Sequence, residues 1–152
     1  MNRTEARDFI FDFANDAWAA ATAAVVTDGT PVAVRYQGVT QGDASGEPAQ
    51  GTYWARVSMQ TVDEYQETLR NGEVRRFVTI GLVFVQIFAP NTHGKAQAWA
   101  DRLAELVRNT FRERCVDDNL EFTGVAIDDN VRREPAWLPV NINGRFAYRQ
   151  FI

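Results

Sequence analysis

Arg75-Arg76-Phe77-Val78-Thr79-Ile80-Gly81-Leu82-Val83-Phe84-Val85-Gln86-Ile87-Phe88-Ala89-Pro90 is rich in β-branched and aromatic residues and carries no charge after Arg76. Such a run suits a pleated strand inside a sheet. From Leu82 to Phe88 both alternating faces are apolar, with Leu82, Phe84 and Phe88 on one and Val83, Val85 and Ile87 on the other. A strand apolar on both faces is covered on both faces. A helix can cover one of them; in a chain of 152 residues the second cover points to another copy of the protein.

Pro90 ends the strand, and an amphipathic pattern follows from Thr92 to Arg114. Ala96, Trp99, Ala100, Leu103, Leu106, Val107, Thr110 and Phe111 recur at three-and-four spacing, with Thr92 placed to cap this helix. Arg108, Arg112 and Arg114 gather at its C-terminal end, where the helix dipole favours positive charge. An N-terminal helix is expected over Thr4 to Val26. Ile10, Phe13, Ala14, Ala17, Ala21 and Ala24 form its stripe, Thr4 its cap, and Asp28-Gly29-Thr30-Pro31 its stop.

Val32 to Tyr36 reads as a short strand, and the glycine-rich 37–51 segment as an exposed, mobile loop. Tyr53 to Gln60 alternates as a strand, with Tyr53, Ala55, Val57 and Met59 on one face and Trp54, Arg56, Ser58 and Gln60 on the other. The polar 61–74 stretch reads as a projecting β-arm or loop, with Asn71-Gly72 suited to a tight turn. A final hairpin runs from Phe122 to Arg133, turns at Glu134-Pro135-Ala136 and returns from Trp137 to Phe151. On its last strand Leu138, Val140, Ile142, Phe146 and Tyr148 face one way and Asn141, Asn143, Arg145 and Arg149 the other. The order helix, strands, helix, strands predicts one domain over 1–152 of α+β class: a mixed, mostly antiparallel sheet with two helices packed on one face.

The bulk composition narrows function. Apolar residues make up 45% and charged residues 24%, which fits a folded globular chain and not a disordered one. A net charge of -4 argues against wrapping nucleic acid on a basic surface. The alanine-rich stretch Ala17–Val26 is roughly half a membrane span, and Glu5, Asp8, Asp12 and Asp16 do not fit a basic secretory leader. The chain therefore reads as soluble and made in the cytoplasm, with no membrane partner.

Reactive groups are few. His93 is the lone histidine and Cys115 the lone cysteine, so neither a histidine pair for a metal nor an internal disulfide can form. The two sit at opposite ends of the expected second helix, roughly 30 Å apart at 1.5 Å per residue, which excludes a dyad. Cys115 reads as a small helix-end residue. Asp117-Asp118 and Asp128-Asp129 lack calcium-loop spacing and read as solvated turns. Asn91-Thr92-His93-Gly94-Lys95 lacks the first glycine of a phosphate loop. Trp54-Arg56 and Arg145-Tyr148-Arg149 could suggest base stacking, but Tyr148 faces away from Arg145 and Arg149 and the net charge is negative, so they read as core packing beside a polar sheet face. No catalytic, cofactor or metal site is expected.

Arg76 to Arg114 resembles the tail terminator-like proteins of long-tailed (siphovirus-type) bacteriophages: the strand ending Val83-Phe84-Val85-Gln86-Ile87-Phe88-Ala89-Pro90, then Gly94, then Ala98-Trp99-Ala100-Asp101-Arg102-Leu103-Ala104-Glu105-Leu106-Val107. Pro135-Ala136-Trp137-Leu138-Pro139-Val140-Asn141-Ile142-Asn143-Gly144-Arg145-Phe146-Ala147-Tyr148 and the Tyr53-Trp54-Ala55-Arg56-Val57-Ser58 strand are similar to the same family. The resemblance spans Tyr53 to Phe151 and rests on the order and spacing of three segments.

It implies a non-enzymatic virion protein, assembled in the host cytoplasm. Such a protein forms a ring, typically of six copies, on the head-proximal end of the tail tube. The ring ends tube polymerisation and offers a surface to the head-completion or neck protein, while genomic DNA passes through without sequence-specific binding. A ring of this kind needs two different surfaces per subunit. The candidates are the apolar strand, the sheet face bearing Arg56, Asn141, Asn143 and Arg145, and the arm bearing Asp63, Glu64 and Tyr65 with Arg75 and Arg76 at its return. Two other readings stay open. One is a different neck or tail-completion protein; the other is a small ligand-binding domain or enzyme with a pocket lined by Trp18, Trp99 and Trp137.

Overall fold

The computed structural model describes residues 1–26, 33–36, 51–67, 74–92, 94–112, 115–116, 119–128 and 135–152. The elements are α1 (Arg3–Val25), β1 (Ala33–Tyr36), β2 (Trp54–Gln66), β3 (Arg76–Pro90), α2 (Ala96–Arg112), β4 (Cys115–Val116), β5 (Leu120–Asp128) and β6 (Trp137–Phe151). The six strands form one sheet in the order β1-β2-β3-β6-β5-β4. β1 pairs parallel with β2 and every other neighbouring pair is antiparallel, so the sheet is mixed and mostly antiparallel, as expected.

β3 sits at the centre because it is the longest apolar run. It pairs with β2 from Phe77↔Gln66 to Phe88↔Trp54, and with β6 from Arg76↔Phe151 to Pro90↔Trp137. Its odd-numbered residues Val83, Val85, Ile87 and Ala89 face the main core. With them lie Tyr53, Ala55 and Val57 of β2, Val140, Ile142, Phe146 and Tyr148 of β6, and the buried stripes of both helices. Both helices therefore lie on one face of the sheet. Rings of Phe13, Phe111 and Phe122 meet with centroids 5.0 to 5.8 Å apart and join α1, α2 and β5. Alanines at 6, 14, 17 and 21 of α1 and at 96, 100 and 104 of α2 are buried, which lets the helix backbones approach the layer below.

Several boundaries differ from expectation. Asn2, not Thr4, caps α1: its side chain accepts from the Glu5 amide at 2.9 Å while Glu5 accepts from the Asn2 amide at 2.8 Å, a reciprocal capping box. α2 begins at Ala96, because Gly94 and Lys95 continue the turn that holds Asn91 and Thr92. Thr92 thus lies before the helix, and Gly94 is a poor helix residue. α2 ends at Arg112, so Cys115 belongs to β4, opposite Glu121, and is not a helix-end residue. The 61–74 stretch is a β-arm as far as Gln66, closed against Phe77–Gly81 of β3. Val32, His93, Arg114, Asp117, Asp118 and Asp129, the Asn71-Gly72 turn and, except for Gly51, the 37–51 loop lie outside the described residues.

Gly81 is required by close approach. A Cβ built there meets the Phe146 ring, and lies 2.6 Å from the Gln60 carbonyl oxygen. Gly81→Ala is expected to lower stability by about 1–3 kcal/mol, the usual cost of overpacking a filled core. Urea unfolding measures this; a wild-type midpoint would contradict the packing.

Candidate functional site

The face of the sheet away from the helices carries no helix. Cross-strand register places Trp54, Arg56, Ser58 and Gln60 of β2 on it, beside Phe88, Gln86, Phe84 and Leu82 of β3. Across β3, Pro139, Asn141, Asn143 and Arg145 of β6 complete the surface. One end is closed by the chain itself. Trp54 stacks on Phe88 at 4.0 Å and 9°, Trp137 meets Trp54 edge-on, and the three form a second buried cluster separate from the main core. The Arg35 and Arg56 guanidinium groups lie 5.6 Å from the Trp54 ring and 5.4 Å from the Phe88 ring, shielding this cluster from water.

Trp137 therefore lies on the opposite side of the sheet from Trp18 and Trp99, which pack into the main core. A pocket lined by all three tryptophans does not exist. Within the single chain the second face of β3 is covered only in part. Phe88 is buried by the chain's own tryptophans, whereas Ile80, Leu82 and Phe84 remain half-exposed along the middle of the open face.

The polar residues of that face are organised around this apolar spine. Arg56 Nε donates to Gln86 Oε1 at 2.8 Å. Arg145 is exposed, and Asn141 and Asn143 are half-buried with Oδ1 atoms that are shut off from water and accept no hydrogen bond. The structure thus brings Arg56, Asn141, Asn143 and Arg145 together on one surface.

Asp63, Glu64, Tyr65, Arg75 and Arg76 gather elsewhere, at the far end of the same three strands. The register shifts between Thr61 and Asp63, so Val62 bulges from β2. Asp63 and Tyr65 pair with Ile80 and Val78 on the open-face side, while Glu64 accepts from Thr79 Oγ1 at 3.0 Å on the other. Arg76 pairs with Glu67 at 2.6 Å and stands over the Phe151 ring; Arg75 is exposed and exchanges both backbone hydrogen bonds with Ile152. Of the apolar members of this end, sequence reasoning named only Tyr65. Val62 (58% exposed), Tyr65 (46%), Val74 (62%), Phe151 (56%) and Ile152 (67%) are the large hydrophobic residues left most exposed among the described ones, and all five are here. Only the pairing of β3 with β2 on one edge and with the β6 terminus on the other places these residues at one end of the sheet, since they are scattered in sequence.

Two shallow clefts flank α1. One, of about 260 Å³, is lined by Arg3, Thr4, Arg7, Phe11, Met59 and Thr61; the other, of about 390 Å³, by Asn15, Trp18, Ala19, Thr22, Ala23, Val26 and Val34. Burial first, then Asp12 and Asp16, push the Tyr36 hydroxyl above the ordinary tyrosine range, which keeps it neutral well past physiological pH. Among the described residues no three His, Cys, Asp or Glu side chains converge as metal ligands, and no helix is long and apolar enough to cross a membrane.

No family model and no curated protein matches the chain. One solved structure, whose name states no activity or partner, is 17% identical over 88% of this chain and 94% of its own length, with a TM-score of 0.49. A likeness of that degree carries no argument about function.

The two ends of the open face should respond differently to truncation. Phe88→Ala is expected to cost about 3–5 kcal/mol, the range for a buried phenylalanine. Phe84→Ala, on the same strand and face, should cost only about 1 kcal/mol. Denaturant titration of both variants measures the contrast, and equal losses would contradict it.

Proposed function

We propose that this chain is a structural, non-enzymatic ring subunit of a bacteriophage virion, a tail terminator that caps the head-proximal end of the tail tube. The observation that carries the proposal is the pairing of two unlike, unfilled surfaces on one subunit: the half-open sheet face and the apolar strand end. Two dissimilar surfaces suit a heterologous contact, which closes into a ring when the rotation between subunits allows. The resemblance of Tyr53–Phe151 to tail terminator-like proteins supplies the particular assembly.

In this reading the ring blocks addition of further tube protein and presents its other side to the head-completion protein. DNA threads the hole. A net charge of -4 supports passage without retention, since phosphates would be held by a basic lumen. The work of the protein is done by surface shape and closure.

Mixing the purified protein with growing tail tubes and imaging them by negative stain tests the proposal. Rings of about 100 kDa, six subunits of 17.1 kDa, are expected on one tube end, together with arrested tube growth. A protein that neither decorates tube ends nor alters their length would overturn it. Arg75→Glu leaves the Arg76–Glu67 pair in place. It is expected to weaken end decoration while the thermal unfolding midpoint stays unchanged.

A further inference from the structure

We propose that the end of the sheet formed by residues 61–66, 74–78 and 149–152 is a docking tongue, and that its receptor is the open sheet face of a second copy of this chain. The inference rests on the ring reading for closure and adds to it the two surfaces that meet.

Single exposed apolar side chains are ordinary on a protein surface; a cluster of them is not. Val62, Tyr65, Val74, Phe151 and Ile152 all lie along this one end of β2, β3 and β6, and they make the tongue apolar at its margin. β1 covers β2 only from Trp54 to Val57, so Ser58 to Gln66 has no strand on its outer side among the described residues. The bulge at Val62 and the charges of Asp63 and Glu64 blunt this edge against strand addition. The tongue is therefore suited to dock through its side chains.

The open face offers the complementary chemistry. Leu82 and Phe84 form a partly exposed apolar spine, and Arg56 and Arg145 stand on either side of it. On the tongue, the Tyr65 ring supplies apolar area and its hydroxyl a donor, and Asp63 supplies a carboxylate on the same side of the sheet. Carboxylate meets guanidinium, and ring meets spine.

Tyr65 and Phe84 of one molecule cannot meet. Tyr65 lies opposite Val78, six residues from Phe84 along β3 and so about 20 Å away within one flat ladder. Tongue against tongue would oppose Asp63 and Glu64 to their own copies and leave the spine uncovered. The contact that fills both surfaces joins different patches of two copies, and so repeats from subunit to subunit.

The test mixes an affinity-tagged Tyr65→Cys protein with an untagged Phe84→Cys protein under mild oxidation, alone and on tail tubes, both in a Cys115→Ser background checked for wild-type circular dichroism. A mixed disulfide found only in the mixture is expected. A second arm reverses charge: Asp63→Arg and Arg145→Asp should each abolish assembly, and their mixture should restore it. Assemblies that form normally while yielding only disulfides between two copies of the Tyr65→Cys protein, or none, would overturn the docking and leave the ring reading intact. Subunits that stay monomeric at every concentration and on tubes would also overturn the docking, whereas tube-length arrest judges the ring reading separately.

Discussion

β2, β3 and β6, of 13, 15 and 15 residues, share one hydrogen-bonded ladder in which β3 is paired on both edges for nearly its whole length. That ladder is the constraint on which the other features depend. With both edges of β3 occupied, each of its side chains is committed to one of two faces by the pleat, and a slip of one residue would turn the apolar set over. Gly81 leaves open the space that the Phe146 ring of β6 fills, which a side chain there would occupy.

Covering one side of this ladder with both helices leaves the other side short of material. The chain answers partly with its own residues: Trp54, Phe88 and Trp137 build a small second core, roofed by two arginines. Beyond that cluster the face passes to Phe84, Leu82 and Ile80, which are apolar yet half-open, between amides and guanidinium groups. The ladder then runs on into the strand end where the most exposed hydrophobic residues lie. A subunit with an unfilled face and an apolar projection has the attributes of a component, and we relate that to the proposed ring.

Much of the fold was legible in the alternation of apolar residues. The central strand, the facing of β6 and the helical stripes could be read because burial follows period 2 or 3.6. Less could be read where two signals competed. Thr4 and Asn2 are both good caps, and only the reciprocal bond of Glu5 with Asn2 decides between them. Thr92 precedes a helix pattern, yet Gly94 delays the helix until Ala96. Arg56, Asn141, Asn143 and Arg145 were recognised as one surface from alternation alone, because each strand's polar face was clear. The strand-end group was not, since Val62, Val74 and Phe151 come to one end of the sheet only through long-range pairing, and Val62 is displaced by a bulge that no local pattern announces. The Trp54–Trp137 contact was likewise hidden, as indole rings fit either face of a sheet.

The central claim is that the free side of β3 is completed by another subunit. Hydroxyl-radical footprinting, read by mass spectrometry on monomer and on assembled particles, addresses it most directly. The account predicts that Phe84 and Tyr65 lose reactivity together upon assembly, while Trp54, already enclosed in the subunit, changes little. Phe84 oxidised as fast in the assembled particle as in the monomer would contradict it.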